Sequence, residues 1–337
     1  MRIINVPTGN ICIVDGEYGR LEFLSIGDYG KDKNIKADFL GHTNIINGVP
    51  NGQVMPLEEK WVITISTQYG CSMNCKFCDV PKVGIGKNAT INDLSSQIKN
   101  GLWVGGAKTT KRLNIHYARM GEPTFNFNVI EYTKRQLRQD VQGVIGNVLI
   151  HPVVSTMLPV HNHKLYEFLN DWCDVKNDLF RGDAGLQLSI NSTSEQERQE
   201  MFSGNSLKWD NLKEISDMLP IPKGRKYALN FALAGYEIDS KKLKNTFPPE
   251  KFMCKITPMH ETNQCKQNDI HTKNGYINYE SYLPIENNLK SVGFDVLVFI
   301  PSIEEDESRI TCGNAILSDL KENNGNESFD APRAING

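Results

Sequence analysis

The chain has 337 residues, 39% of them hydrophobic and 23% charged, with a formal net charge of −3 at pH 7. That is enough chain and apolar content for one large α/β domain or two small ones, and its mild acidity excludes a global positive field that would draw it to nucleic acid. No apolar run is long enough to span a membrane, and the opening MRIINVPTGN lacks the pattern of a secretory signal.

Residues 1–55 read as a β-leaning N-terminal segment, with strands expected over 10–14 and 20–24 between Gly and Asp turns. The pattern changes at Trp61. The run WVITIS (61–66) is apolar and β-branched, as a buried strand is. A helix should open near Thr90 or Asn92, either of which suits an N-cap. Strand-then-helix units then repeat. Strands are expected at 112–117, 147–154, 185–190, 226–232, 252–256 and 294–299. Helices are expected at 129–139, 163–172, 194–202, 207–218, 239–244 and 282–292. Such alternation implies a parallel sheet with outer helices, α/β in class. About six units is too few for a closed eight-fold barrel, so an open or partial barrel over 56–320 is expected, with chemistry at the C-terminal strand ends. The basic stretches 108–112 and 223–226 fit solvated loops, and the tail 321–337 reads as polar and mobile.

The loop after the first core strand carries Cys71, Cys75 and Cys78 within eight residues. Three thiolates at this spacing can bind three corners of a cubane iron–sulfur cluster and leave one iron open. A structural zinc would need a fourth ligand, for which the distant Cys254 is one source. Three reduced core cysteines are the plainest alternative. The other five cysteines, Cys12, Cys173, Cys254, Cys265 and Cys312, are scattered. They form no disulfide framework, which points to a reducing, cytoplasmic compartment. One unit further on, Met120-Gly121-Glu122-Pro123 places a carboxylate in a turn at the strand-end mouth. That carboxylate can accept a hydrogen bond from an ammonium group.

The cysteine spacing, with Phe77 just before the last thiol, resembles the radical S-adenosylmethionine (SAM) enzymes. More specifically, 61–317 resembles the RlmN and Cfr group, which methylate an adenine carbon of ribosomal RNA. The resemblance runs through Ser66-Thr67-Gln68-Tyr69-Gly70-Cys71, Gly84-Ile85-Gly86-Lys87-Asn88, Gly121-Glu122-Pro123-Thr124-Phe125-Asn126, Val154-Ser155-Thr156, Leu188-Ser189-Ile190-Asn191, Ile256-Thr257-Pro258-Met259-His260 and Ile310-Thr311-Cys312-Gly313. It implies a partial (β/α)6 radical SAM barrel. Cys71, Cys75 and Cys78 would hold a 4Fe-4S cluster and Glu122 the SAM amino group. Ser155 and Ser189 would contact the SAM carboxylate or ribose, and His260 would stand for an Asn that contacts SAM. Cys312 would receive a methyl group from one SAM. A 5′-deoxyadenosyl radical from a second SAM would then activate that methyl group for addition to the substrate. The implied partners are an RNA, nucleotide or other small substrate and an electron donor such as flavodoxin or ferredoxin.

Two departures stand out. Where the family has a further cysteine that resolves the covalent adduct, this chain has Thr64, which cannot form a disulfide. The family's N-terminal helical extension is replaced by the β-leaning segment. Besides a methylase using Cys312, two readings stay open. One is a radical SAM mutase or cyclase that abstracts hydrogen directly, with Cys312 structural. The other is a non-enzymatic metal-binding or RNA-binding module.

Overall fold

A computed structural model of the chain describes residues 1–28, 56–272, 282–300, 308–310 and 315–317. Cys312 and the tail 321–337 lie outside the described residues.

The N-terminal segment forms an antiparallel meander of β1 (Arg2–Val6), β2 (Gly9–Gly16) and β3 (Gly19–Ile26). β1 was not anticipated: its alternate residues are exposed, and it is the outermost strand. β3 pairs antiparallel with β4 (Trp61–Ile65), Leu24 standing opposite Thr64. β5 (Gln68–Gly70) and β6 (Ile85–Asn88) make a separate ribbon that brackets the cysteine loop. β7 (Leu113–Tyr117), β8 (Ile150–Thr156), β9 (Gly185–Ser189), β10 (Tyr227–Leu233), β11 (Phe252–Pro258) and β12 (Val296–Val298) then add to β4 in chain order, every neighbour parallel. β1 and β12 end the ten-stranded sheet, so it is open, as expected of a partial barrel.

β10 alternates in burial along its length, and β11 does so in its second half. In β10 and β11 the odd members pack in the core, while Asn230, Lys255 and Thr257 stay partly accessible. Side chains on a strand point to opposite faces in turn, so one face lies under the helices and the other lines a polar interior. Register continues the lining across the sheet: Thr64 opposite His116, Ser155 opposite Gln187, Ser189 opposite Asn230, Asn230 opposite Lys255.

The crossover helices pack the other face. α1 (Ile91–Gly105) starts at Thr90, whose hydroxyl accepts from the Asp93 N–H while the Asp93 carboxylate accepts from the Thr90 N–H. This capping box satisfies two otherwise orphaned donors. Asp93 also accepts from the Tyr69 hydroxyl at 2.7 Å and the Glu17 N–H at 3.1 Å, tying β5 and the meander to the same helix start. The single helix expected over 129–139 is two, α2 (Asn128–Arg135) and α3 (Leu137–Ile145), broken at Gln136. The break turns Leu137, Val141 and Ile145 into the core as a second apolar stripe. α4 (Leu165–Asp174), α5 (Glu195–Met201), α6 (Trp209–Met218), α7 (Ser240–Thr246), α8 (Asn263–Gln267) and α9 (Leu283–Ser291) follow. Among the described residues no helix is long and apolar enough to cross a membrane.

Candidate metal and SAM site

The cysteine loop leaves β5 at Gly70, whose φ of +80° suits glycine, and a Cβ there would sit 2.1 Å from the Gly84 carbonyl oxygen. The Cys71 N–H donates to that same carbonyl at 3.0 Å. Side chains from distant elements then hold the loop's carbonyls. Asn205 donates to Met73, Ser203 to Asn74, Asn268 to Lys76 and Thr262 to Phe77. Asp79 accepts from the Asn263 and Gln264 N–H groups at the start of α8. The loop is therefore pinned on both sides, by the end of α5 and by α8, before any ligand enters.

The thiols sit in a dry setting. Burial, followed by opposing backbone hydrogen bonds, pushes Cys71 up to about 11 and Cys78 up to about 12. Cys75 is pushed up by burial and then by the charges of Cys78, Cys71 and Glu122. Three thiols that repel one another as thiolates, beside a buried carboxylate, form a donor set that a cationic iron–sulfur core would neutralise. Among the described residues no three His, Cys, Asp or Glu side chains converge tightly enough for a single metal ion. Three thiols in one loop fit a three-ligand cluster, and Cys254 supplies no fourth ligand for zinc: it is fully buried on the helix-facing side of β11, opposite in direction to Lys255.

Glu122 is placed by Gly121, where a Cβ would meet the Gln68 side chain at 2.5 Å. Gln68 in turn accepts from the Glu122 N–H at 2.9 Å. The carboxylate is 4% exposed. It accepts from the Thr124 hydroxyl at 2.7 Å and N–H at 3.1 Å, and from the Met157 N–H at 3.0 Å. Burial raises its pKa, against hydrogen bonds from Met157, Thr156 and Thr124 that lower it. These donors fix the carboxylate between the ends of two strands.

Ser155 and Ser189 lie on the interior face near the ends of β8 and β9, both partly accessible, with the Ser155 hydroxyl 3.3 Å from Gln187 Oε1. His260 follows β11, and its carbonyl accepts from the Cys265 thiol at 3.1 Å. Asn191, just past β9, has φ of +59° and accepts from the Ala232 N–H at 3.0 Å, so it locks the ends of β9 and β10 together. Thr64 faces the interior beside His116.

Sequence reasoning missed the sulfur-rich packing around the loop. Met157 Sδ lies 3.6 Å from Cys75 Sγ, and Met73, Met201, Met259 and Cys265 are buried in the same cluster. Methionines at irregular spacing carry no sequence signal. It also missed the interior's charge, although polar residues at alternate strand positions, as in YALNFAL and FMCKITP, were a readable sign. His116 is held down to about 3 by burial and then by Lys255, Lys60, Arg225 and Arg112. A cavity of 410 Å³ lined by Arg181, Asp183, Arg225, Lys226, Met253 and Asp295 opens at the other, N-terminal end of the strands, away from the cysteine loop.

No protein-family model matches the chain. The dual-specificity RNA methyltransferase RlmN of Aliarcobacter butzleri is 38% identical over 98 residues, 29% of this chain and 23% of that protein. RlmN 2 of Myxococcus xanthus is 28% identical over 191 residues, 53% of this chain and 45% of that protein. The chain thus spans less than half the length of these curated relatives. Among solved structures, a radical SAM methyltransferase from Sphaerobacter thermophilus aligns with a TM-score of 0.56 at 16% identity, covering 88% of this chain and 75% of that one. The chain is thus similar, over part of its length, to RlmN RNA methyltransferases, and it shares its open parallel fold with a radical SAM methyltransferase.

Proposed function

We propose that the chain is a radical SAM enzyme of the RlmN/Cfr type that transfers a one-carbon unit through Cys312. The observation that carries this reading is the meeting of the buried Cys75 thiol, the half-buried Cys71 and Cys78 thiols and the buried Glu122 carboxylate at the C-terminal end of the parallel strands. When bound, a 4Fe-4S cluster and SAM would supply a reducing electron and a 5′-deoxyadenosyl radical. Cys71, Cys75 and Cys78 hold the cluster. Glu122 offers its carboxylate to the SAM ammonium group, and the buried turn that carries it excludes competing water. Ser155 and Ser189 face the same interior and present hydroxyls to the SAM carboxylate or ribose, and His260, just past β11, contacts SAM. Cys312, outside the described residues, carries the methyl group.

The substrate class is an adenine-containing RNA or nucleotide. Its support is the similarity to proteins named RNA methyltransferases. A flavodoxin- or ferredoxin-like donor would deliver the electron, in the cytoplasm. Anaerobic reconstitution with iron and sulfide should give SAM cleavage to 5′-deoxyadenosine and a Cys312 peptide heavier by one methyl group. A reconstituted protein that cleaves SAM while Cys312 stays an unmodified, dispensable thiol would overturn the methyl-carrier role.

A further inference from the structure

Glu22 and Arg119 are 97 residues apart in sequence and form a buried ion pair. Glu22 lies on β3, level with the end of β4, where its carbonyl accepts from the Ser66 hydroxyl. Arg119 follows β7, and its N–H donates to the Ile65 carbonyl at 3.0 Å. Both side chains therefore stand at the cluster end of the sheet. Glu22 is 0% and Arg119 8% exposed.

The pair is fully used, and used in one direction. Arg119 Nε donates to Glu22 Oε1 at 2.6 Å. Its other two nitrogens donate to the carbonyls of Ile310 at 3.2 Å and Arg309 at 2.9 Å. Glu22 Oε2 accepts from the Ala315 N–H at 2.7 Å and the Ile316 N–H at 3.1 Å. The guanidinium thus holds the chain just before residues 311–314, and the carboxylate holds it just after. Ile310, Ala315 and Ile316 are buried. Residues 309–316 contain Thr311-Cys312-Gly313-Asn314.

A buried ion pair is a poor choice for stability alone, since apolar residues of the same volume serve as well or better. Here it does something apolar residues cannot: it satisfies two carbonyls and two N–H groups of one short segment at once. We propose that Glu22 and Arg119 are positioning residues that clamp both shoulders of the Cys312 segment at the cluster end of the sheet. This rests on the methyl-carrier reading of Cys312. It also gives the N-terminal meander a function, because β3 contributes half of the clamp.

The test begins with the wild-type protein. Hydrogen exchange should show the Ala315 and Ile316 amides protected like those of β4 and β7; free exchange there overturns the clamp with no variant made. Arg119→Met alone leaves a buried carboxylate unpaired and is expected to fold poorly. The double variant Glu22→Met/Arg119→Met removes both charges and keeps the volume, so it should fold and load iron as wild type does. In it, protection of residues 315 and 316 should fall by on the order of a hundredfold, while β4 and β7 keep theirs. Methyl occupancy of Cys312 should fall by about tenfold or more, because the thiol is no longer held in place, and its alkylation by iodoacetamide should change rate. Arg119→Lys keeps the charge but not the fork, so it should fall between. A folded double variant with unchanged exchange at 315–316 and unchanged Cys312 alkylation refutes the proposal. If wild-type Cys312 is never methylated, the methyl-carrier reading fails, and exchange and alkylation still decide the clamp.

Discussion

Glu122 reaches from the turn after β7 to the end of β8 and accepts a hydrogen bond from the Met157 N–H at 3.0 Å. The same carboxylate therefore braces two strand ends. Glu122→Ala leaves the Met157 and Thr124 donors unsatisfied, which should cost about 1–3 kcal/mol in urea unfolding. SAM affinity of the reconstituted protein should drop roughly tenfold to a hundredfold, the loss expected for a charge-assisted hydrogen bond. Calorimetric titration would show this, and wild-type SAM binding by the variant would remove Glu122 from the site.

The cysteine thiols should report their burial directly. With Cys71 pushed up to about 11, the metal-free protein holds it as a thiol at neutral pH. Because the thiolate is the reactive form, alkylation of Cys71 at pH 8 should be slower than that of an exposed cysteine. It should speed up about tenfold per pH unit toward 11. Cluster loading should abolish it, and Cys75→Ala should lose both iron and SAM cleavage. Full iron content in that variant would contradict the ligand assignment.

His116 and His151 set the acid limit. Burial is the main cause for both, and they are held at about 3 and about 4, below the ordinary 6.5. Below pH 6.5 the unfolded chain takes up protons that the folded one refuses, so stability falls as pH drops from 6.5 toward 3. Each histidine contributes a slope of at most about 1.4 kcal/mol per pH unit. His116→Gln should flatten the fall between pH 6.5 and 4 in urea midpoints. An unchanged profile would show that His116 is protonated in the folded protein.

Cys254 and Cys265 are the two thiols near β11 that could stand in for the cysteine missing at Thr64, and the structure separates them. Cys254 is sealed on the helix side of β11, so Cys254→Ala should cost about 1 kcal/mol of stability and leave turnover unchanged. Cys265 is buried as well, yet it sits beside the cysteine loop, its thiol facing the carbonyls of Phe77 and His260. If a protein thiol replaces the one missing at Thr64, Cys265→Ala should trap substrate as an adduct that mass spectrometry detects. Normal release by both variants would mean that neither thiol takes part.

The parts of this fold and site that could be read from the sequence are those set by local pattern. The seven parallel strands follow from short apolar runs, and the cysteine loop and the Glu122 turn from residues close together in the chain. Thr90 and Asn92 were equal candidates for the α1 cap until Asp93 was seen to close a capping box with Thr90. What the sequence hid depends on distance. The break at Gln136 reflects how α3 packs on its neighbours, with no Pro or Gly to mark it. Met157 meets Cys75 across 82 residues and Arg119 meets Glu22 across 97. Neither pairing has a periodicity that marks it.

The meander has a practical consequence for anyone dividing the chain. β3 covers the edge of β4, and its Ser25 hydroxyl accepts from the Trp61 indole at 2.9 Å while donating to the Gly101 carbonyl of α1. A shortened protein starting near Trp61 would uncover the strand WVITI, apolar and β-branched, along its whole hydrogen-bonding edge. Such an edge is a template for pairing with another copy. The fragment that looks like the minimal core would be the one that precipitates, so soluble pieces should keep all three N-terminal strands.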